Sequence, residues 1–186
     1  MKCRLLLLAF LLPVCMFAQH REFANLPGNA HFDDLKKFRS YGKVSEIFLD
    51  QKLFNMIDYE STDEGEELKK LLKPIKLIVL YTVDDIRKSY ADSVRQEFSE
   101  IDSGLISRDW NKLMSFDEGN EMANIYLKYT GKNTVAGLAI TFLGGSGKKY
   151  KANIINIIGE IDMNSIGKIG QKFRLPALGA VEGKEE

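Results

Sequence analysis

Cysteine is almost missing from this chain of 186 residues: there are two, Cys3 and Cys15, both within the first fifteen positions. Past Cys15 no disulfide, thiol nucleophile or cysteine-ligated metal can be built. Histidine is nearly as scarce. His20 and His31 both lie at the N-terminal edge, and neither stands among carboxylates at a metal-ligand spacing. A zinc centre takes three or four ligands, so no metal residues are assigned. A Ser-His-Asp triad would have to recruit His31 from a short helix, with no G-x-S-x-G to present the serine. An excess of charge of one sign is also lacking: 26 Lys and Arg stand against 26 Asp and Glu. A balanced domain has no electrostatic reason to hold nucleic acid or an anionic bilayer. Internal repeats and low-complexity blocks are absent.

Long apolar runs are missing too. Spanning a bilayer takes roughly 20 apolar residues, whereas the run from Leu5 to Phe17 has thirteen and contains Pro13. Lys2 and Arg4 precede it and Ala18-Gln19 follow it. Positive, apolar and then small is the order of a secretory signal peptide, and cleavage is expected near Ala18, although Met16 is larger than the residue preferred three places before a cut. The competing reading is an uncleaved anchor. A lipoprotein signal would lipidate Cys15, but Val14 stands where a small residue is required. Removing 18 residues from 186 leaves 168, enough for one domain with its own core. Removal of Lys2 and Arg4 leaves 24 basic against 26 acidic residues, a net charge of −2.

The expected organisation is a signal peptide over 1–18, a flexible leader over 19–30, a single α+β domain over 31–172 and a disordered tail over 173–186. Phe32, Leu35 and Phe38 form one stripe of a short helix that Gly42 stops. Lys43 to Leu49 alternates like a strand. Asp50 can cap a helix over 51–58, with Leu53 and Ile57 on one face and Phe54 beside them. Residues 59–65 read as a polar loop and 66–73 as a brief helix ended by Pro74. Ile75 to Thr82 is apolar on both faces, the pattern of a strand covered on both sides. Tyr90, Val94, Phe98 and Ile101 mark an amphipathic helix over 89–101. From Leu113 the period becomes two. Strands are expected over 113–116, 122–129, 135–143 and 151–159, with turns at Asp117–Gly119, Thr130–Asn133 and Gly144–Gly147. A short helix with Met163, Ile166 and Ile169 on one side follows. The fold class is therefore a two-layer α+β sandwich: a mostly antiparallel sheet of about six strands with helices on one main face. Ile154 and Ile158 share one side of the last strand and Ile155 and Ile157 the other, which points to cover on the second face, by a partner or by the N-terminal helix.

An ordered set of patterns carries a family resemblance. Val44-Ser-Glu-Ile-Phe-Leu49 runs into a helix with Leu53, Met56 and Ile57. Ile75-Lys-Leu-Ile-Val-Leu80, a helix with Phe98, Trp110-Asn-Lys-Leu-Met-Ser-Phe-Asp117 and Ile157-Ile-Gly-Glu-Ile-Asp162 follow in order. Over roughly residues 30–172 the chain resembles the bacterial envelope family named domain of unknown function 4252. The resemblance implies export, in many members as lipoproteins, and brings no functional residues with it.

Four constellations invite chemistry. Gly144-Gly-Ser-Gly-Lys-Lys149 lacks the first glycine and the Ser or Thr of a phosphate loop, and a strand rather than a helix follows, so it reads as a hairpin turn. Asp58, Glu60, Asp63, Glu64, Glu66 and Glu67 put six carboxylates into ten residues. With Glu60 at loop position one, a calcium loop would need Glu where Leu71 stands, so a solvated acidic loop is expected. Trp110, Tyr126, Tyr129 and Tyr150 could form an aromatic patch, but half-buried sheet residues are the simpler expectation. Tyr126 and Tyr129 differ in parity along one strand and should face opposite ways. Asp117, Glu118 and Asp162 could be gathered by folding into an acid–base set, for which a glycosidase needs carboxyls about 5 to 9 Å apart.

The expectation is an exported protein of the periplasm or outer envelope that binds an envelope protein or surface component without catalysis. No catalytic, cofactor-binding or metal residue is assigned, and no cofactor. Membrane association would require lipidation of Cys15 or an uncleaved leader. The alternatives are a carboxylate-dependent periplasmic hydrolase and a sensor or regulator of envelope state.

Overall fold

In the computed structural model, the residues described are 21–32, 35–59, 62–131, 134–162, 165, 166 and 168. The expected signal peptide and tail, and Met163 and Ile169, lie outside them. A short helix α1 (Arg21–Ala24) is followed by a 3₁₀ turn at Leu35–Ser40, β1 (Lys43–Asp50), α2 (Gln51–Met56) and α3 (Asp63–Leu72). Then come β2 (Ile75–Arg87), α4 (Ala91–Ile106), β3 (Asn111–Glu118), β4 (Glu121–Tyr129), β5 (Val135–Ser146) and β6 (Lys149–Ile161). The six strands form one sheet in the order β1-β2-β6-β5-β4-β3. All neighbours are antiparallel. This is the α+β sandwich expected from the periodicities. β3, β4, β5 and β6 are a meander whose last strand returns beside β2. That central place for β6 explains its isoleucines on both sides.

Both faces of the sheet are covered. On one, Ile78, Leu138, Ile140, Ile155 and Ile157 pack with Phe54 of α2, Leu72 of α3 and Ile166. On the other, Tyr81, Val83, Ala152 and Ile154 pack with Phe38 of the 3₁₀ turn and Val94 and Phe98 of α4. The expected N-terminal helix residues Phe32, Leu35 and Phe38 thus help α4 cover the Ile154 side, while α2, α3 and Ile166 cover the Ile155 and Ile157 side.

Local chemistry sets several boundaries. Asp50 caps α2 by accepting a hydrogen bond from the Leu53 amide (2.9 Å). Thr62 caps α3 from the Gly65 amide (3.1 Å), so α3 begins three residues before the expected start. Asp63, Glu64 and Glu66 form its first turn, where the helix dipole favours negative charge. Much of the acidic stretch is therefore helix N-terminus rather than loop. In α2 the burial differs from expectation: Phe54 is buried, while Leu53, Met56 and Ile57 are exposed. The helix stops at Met56, too short to lay a stripe of Leu53 and Ile57 on the sheet. β2 runs five residues past Thr82, across a bulge at Asp84-Asp85 where Asp85 has φ 60°. The β5–β6 turn is Gly147-Lys148, with Gly147 at φ 67°. Gly144 and Gly145 belong to β5 itself.

Candidate functional site

Asn156 stands alone among isoleucines near the middle of β6, on the α4 side of the sheet. Its side chain is buried and fully engaged. Its Nδ2 donates to the carbonyls of Gly28 (3.0 Å) and Leu138 (3.3 Å). Its Oδ1 accepts from the Ala30 amide (2.9 Å). The segment from Gly28 to Phe32 is thereby strapped across the sheet. The strap lies so close that a Cβ on Gly28 would stand 1.7 Å from the Ala136 carbonyl oxygen, and one on Gly137 would stand 2.4 Å from the Gly28 oxygen. Only a glycine pair permits that approach. Asn29 shapes the next turn: its Nδ2 donates to the Phe23 carbonyl (3.1 Å) and its Oδ1 accepts from the His31 amide (2.8 Å). His31 takes a left-handed φ of 43°, and its carbonyl accepts from Arg108 at the end of α4 (3.1 Å). Residues 21–30, expected as a flexible leader, are thus part of the packed structure, with Gly28 and Ala30 buried. Pro27-Gly28 gave no periodicity because the segment is held through its backbone and not by an apolar stripe.

Between the strap and the edge strand β1 lies an open groove of about 560 Å³. Its floor is Glu46, Phe48 and Asp50 of β1, Leu77 and Val79 of β2, and Asn156. These residues share one side of the sheet because strand side chains alternate. Phe23, Phe32 and Leu35 form the opposite wall, and Lys52 and Leu53 of α2 close one end. The middle is apolar and the charges sit towards the ends. At the far end Tyr81 donates to the Leu35 carbonyl (2.6 Å) and ties the 3₁₀ turn to β2; burial pushes the Tyr81 hydroxyl pKa up. The same turn is anchored to α4 through Lys37, which bonds Glu100 (2.8 Å) and pairs with Glu97. Burial opposes the Lys37 charge, but these two carboxylates outweigh it and hold its pKa above the usual lysine value. A second recess, of about 460 Å³, lies between α2 and α3.

The residues weighed from the sequence fall elsewhere. Asp117 pairs with Arg95 at one end of the sheet, and Glu118 adjoins the β3–β4 turn. Asp162 follows Ile161 at the other end, beside Val135 and Tyr129. Seven residues of β4 separate those ends, about 23 Å at about 3.3 Å per residue, so folding does not gather Asp117, Glu118 and Asp162 into one site. Trp110, Tyr126 and Tyr150 are buried and Tyr129 is exposed, so the four make no surface patch. His31 lies on the groove rim and His20 lies outside the described residues. Among the described residues no three His, Cys, Asp or Glu converge as metal ligands, and no helix is long and apolar enough to cross a membrane. Sequence reading missed the groove. The lone Asn156 in an isoleucine run was the available signal, since a polar side chain at a core position needs bonding partners.

The family profile described as domain of unknown function (DUF4252) matches residues 38–169. The chain belongs to this family. The DUF4252 match includes the groove floor at Phe48, Leu77, Val79 and Asn156, and begins after Phe23, Phe32 and Leu35 of the wall. No curated protein and no solved structure matches the chain.

Proposed function

We propose that this DUF4252 protein is an exported binding module of the periplasm or outer envelope, its signal peptide removed near Ala18, and that it holds an apolar ligand in the groove between the strap and β1. The carrying observation is the groove itself: about 560 Å³ between the described residues, with Leu77 and Val79 on its floor. Ligand sites are concave, largely apolar and bounded by a few fixed polar groups. The fixed strap supports the reading, because Asn156 and the Gly28–Gly137 contact tie it to the sheet beside the groove. The reaction of a hydrolase would need paired carboxylates facing a cleft, whereas Glu46 and Asp50 lie along one strand and Asp50 is committed to capping α2.

Titration with N-phenyl-1-naphthylamine, an uncharged apolar fluorophore, tests the reading. Saturable binding at one site, weakened at least about tenfold by Val79→Trp in a variant with an unchanged circular dichroism spectrum, is expected from the volume that the indole takes. Non-saturable fluorescence, or equal affinity in the two proteins, would refute it. N-terminal sequencing of protein recovered from the envelope fraction tests export; a chain still beginning at Met1 would count against cleavage.

A further inference from the structure

We infer that the protein pairs with a second copy of itself through β3, the two strands running antiparallel about a two-fold axis at Ser115 and joining two sheets into one. The groove takes no part in this pairing. β3 is one edge of the sheet, so alternate residues point their N–H and C=O groups away from β4, where no strand of the described residues bonds them. The same edge carries Leu113 and Phe116, 39% and 40% exposed, and half-buried Met114.

A bulge makes the strand self-complementary. Lys112 stands opposite Tyr126 of β4, Ser115 opposite Asn124 and Asp117 opposite Met122, with a register shift at Leu113. Measured along β4, Lys112 and Asp117 therefore lie two positions either side of Ser115, both on the α4 face. In an unbulged strand these two would face opposite ways. Met114 and Phe116, opposite Ile125 and Ala123, lie one position either side on the other face. A two-fold axis at Ser115 sets Lys112 against the partner's Asp117 and Met114 against the partner's Phe116. Asn111 meets the partner's Glu118 in the same register. Apolar and opposite-charge cross-strand pairs are the ones that stabilise a sheet.

Charge selects antiparallel over parallel pairing. Around the start of β3, Arg108, Lys112 and Lys128 exceed Asp102 and Asp109 by one positive charge; around its end, Asp117, Glu118 and Glu121 exceed Arg95 by two negative charges. Antiparallel pairing brings these unlike ends together, whereas parallel pairing sets like against like. Within each copy Lys112 bonds Asp102 (2.7 Å) and Arg95 pairs with Asp117. The contact joins those pairs into rows of alternating charge. The helices leave room for it: α4 packs through Leu105 on Tyr126 and Ala139, over β4 and β5 and back from the edge. Two copies of α4 then stand at least three strand spacings apart, about 14 Å, beyond the about 8–10 Å of packed helices.

Sedimentation equilibrium of the purified protein tests the pairing. A single strand pair buries less than a standard interface, so a monomer–dimer equilibrium with a dissociation constant of about 10–100 µM is expected. Asp117→Lys sets a lysine against the partner's Lys112 at both ends of the contact and should weaken dimerisation at least about tenfold. Phe116→Lys, at an exposed side chain, removes both apolar pairs and should also weaken it. Ile47→Lys on the opposite edge strand β1 should leave it unchanged. Circular dichroism verifies that each variant folds. Cysteine crosslinking reads the register, in a chain carrying Cys3→Ser and Cys15→Ser. Ser115→Cys should oxidise to a covalent dimer, because directly opposed residues of an antiparallel pair have Cα atoms about 4.5–5.5 Å apart, within disulfide reach. Glu118→Cys should not, since about 20 Å of strand separates it from its counterpart. A protein that stays monomeric up to about 1 mM, a dimer unaffected by either β3 lysine substitution, or a dimer lost in Ile47→Lys overturns the inference. So does failure of Ser115→Cys to crosslink, or equal crosslinking through Glu118→Cys.

Discussion

The two faces of the sheet are held by different physics. Under α2 and α3 the buried cluster is built of apolar side chains, from Ile78 and Leu138 to Ile157 and Ile166, with buried Thr82 further along the same face donating to Asn153 (3.1 Å). Hydrophobic burial is non-directional, so many arrangements of similar volume could satisfy that side. The face under α4 and the strap carries buried Asn124, Thr141 and Asn156. Those groups bond in fixed directions: Ser115 to Asn124 (2.7 Å), Asn124 to Thr141 (3.4 Å), and Asn156 to three backbone groups. Apolar packing supplies stability on the first face. Directional bonding on the second decides where the strap lies, and hence where a groove is left open.

The largest effect should come from the apolar face. Ile157→Ala, at a side chain only 2% exposed, is expected to cost about 2–5 kcal/mol in a denaturant melt, with the groove unchanged at low denaturant. A loss of fluorophore affinity in that variant, while it is still folded, would break the division between the faces. Asn156→Leu keeps the volume and removes the bonds. Orphaning the Ala30 amide and the Gly28 carbonyl should cost about 1–3 kcal/mol. Amide exchange at Ala30 should then accelerate far more than exchange within β5 and β6. Uniform acceleration would mean that the strap and sheet open together.

A smaller effect is expected at Tyr126, whose buried hydroxyl makes no hydrogen bond among the described residues. Burial, with the Asp102 carboxyl nearby, pushes its pKa up, so it stays protonated. Tyr126→Phe should be neutral or stabilising, within about 1 kcal/mol, because an unsatisfied buried group is removed. A clear loss of stability would show that the hydroxyl is bonded, to the Asp102 carboxyl or through water. The smallest effect lies at the exposed bulge of β2. There Lys149 and Lys43 bond Asp85 and hold its carboxyl at about 2, against an ordinary 3.8. A pKa depressed by folding adds stability that is full above the unfolded value and is lost as pH falls through about 2. Carboxyl NMR titration should show Asp85 moving back towards 3.8 in Lys149→Ala; stability between pH 5 and pH 7 should not depend on this group.

Much of the frame was legible because it depends on neighbours in sequence. The alternation in Lys43–Leu49 matches β1, Asp50 is the cap it was expected to be, and Met122–Tyr129 and Val135–Leu143 lie within β4 and β5. The misreadings have a common cause. Asp84-Asp85 interrupts the apolar run, yet β2 continues because a bulge turns both carboxylates towards lysines on β1 and β6. Thr62 reads as loop from its neighbours alone because its role as a cap depends on where α3 begins. Gly28 and Asn156 are 128 positions apart, and nothing local to either marks the other.

By itself the sequence determined the class of fold, the approximate number of strands and their order along the chain, and the family, because periodicity, caps and turn residues act over a few residues at a time. Tertiary structure alone decided that β6 lies between β2 and β5, that Gly28 to Phe32 pack as a strap, and that Asp117 and Asp162 end at opposite ends of the sheet. Each of these depends on contacts between segments far apart along the chain, whose geometry is set only when the buried polar groups find their partners.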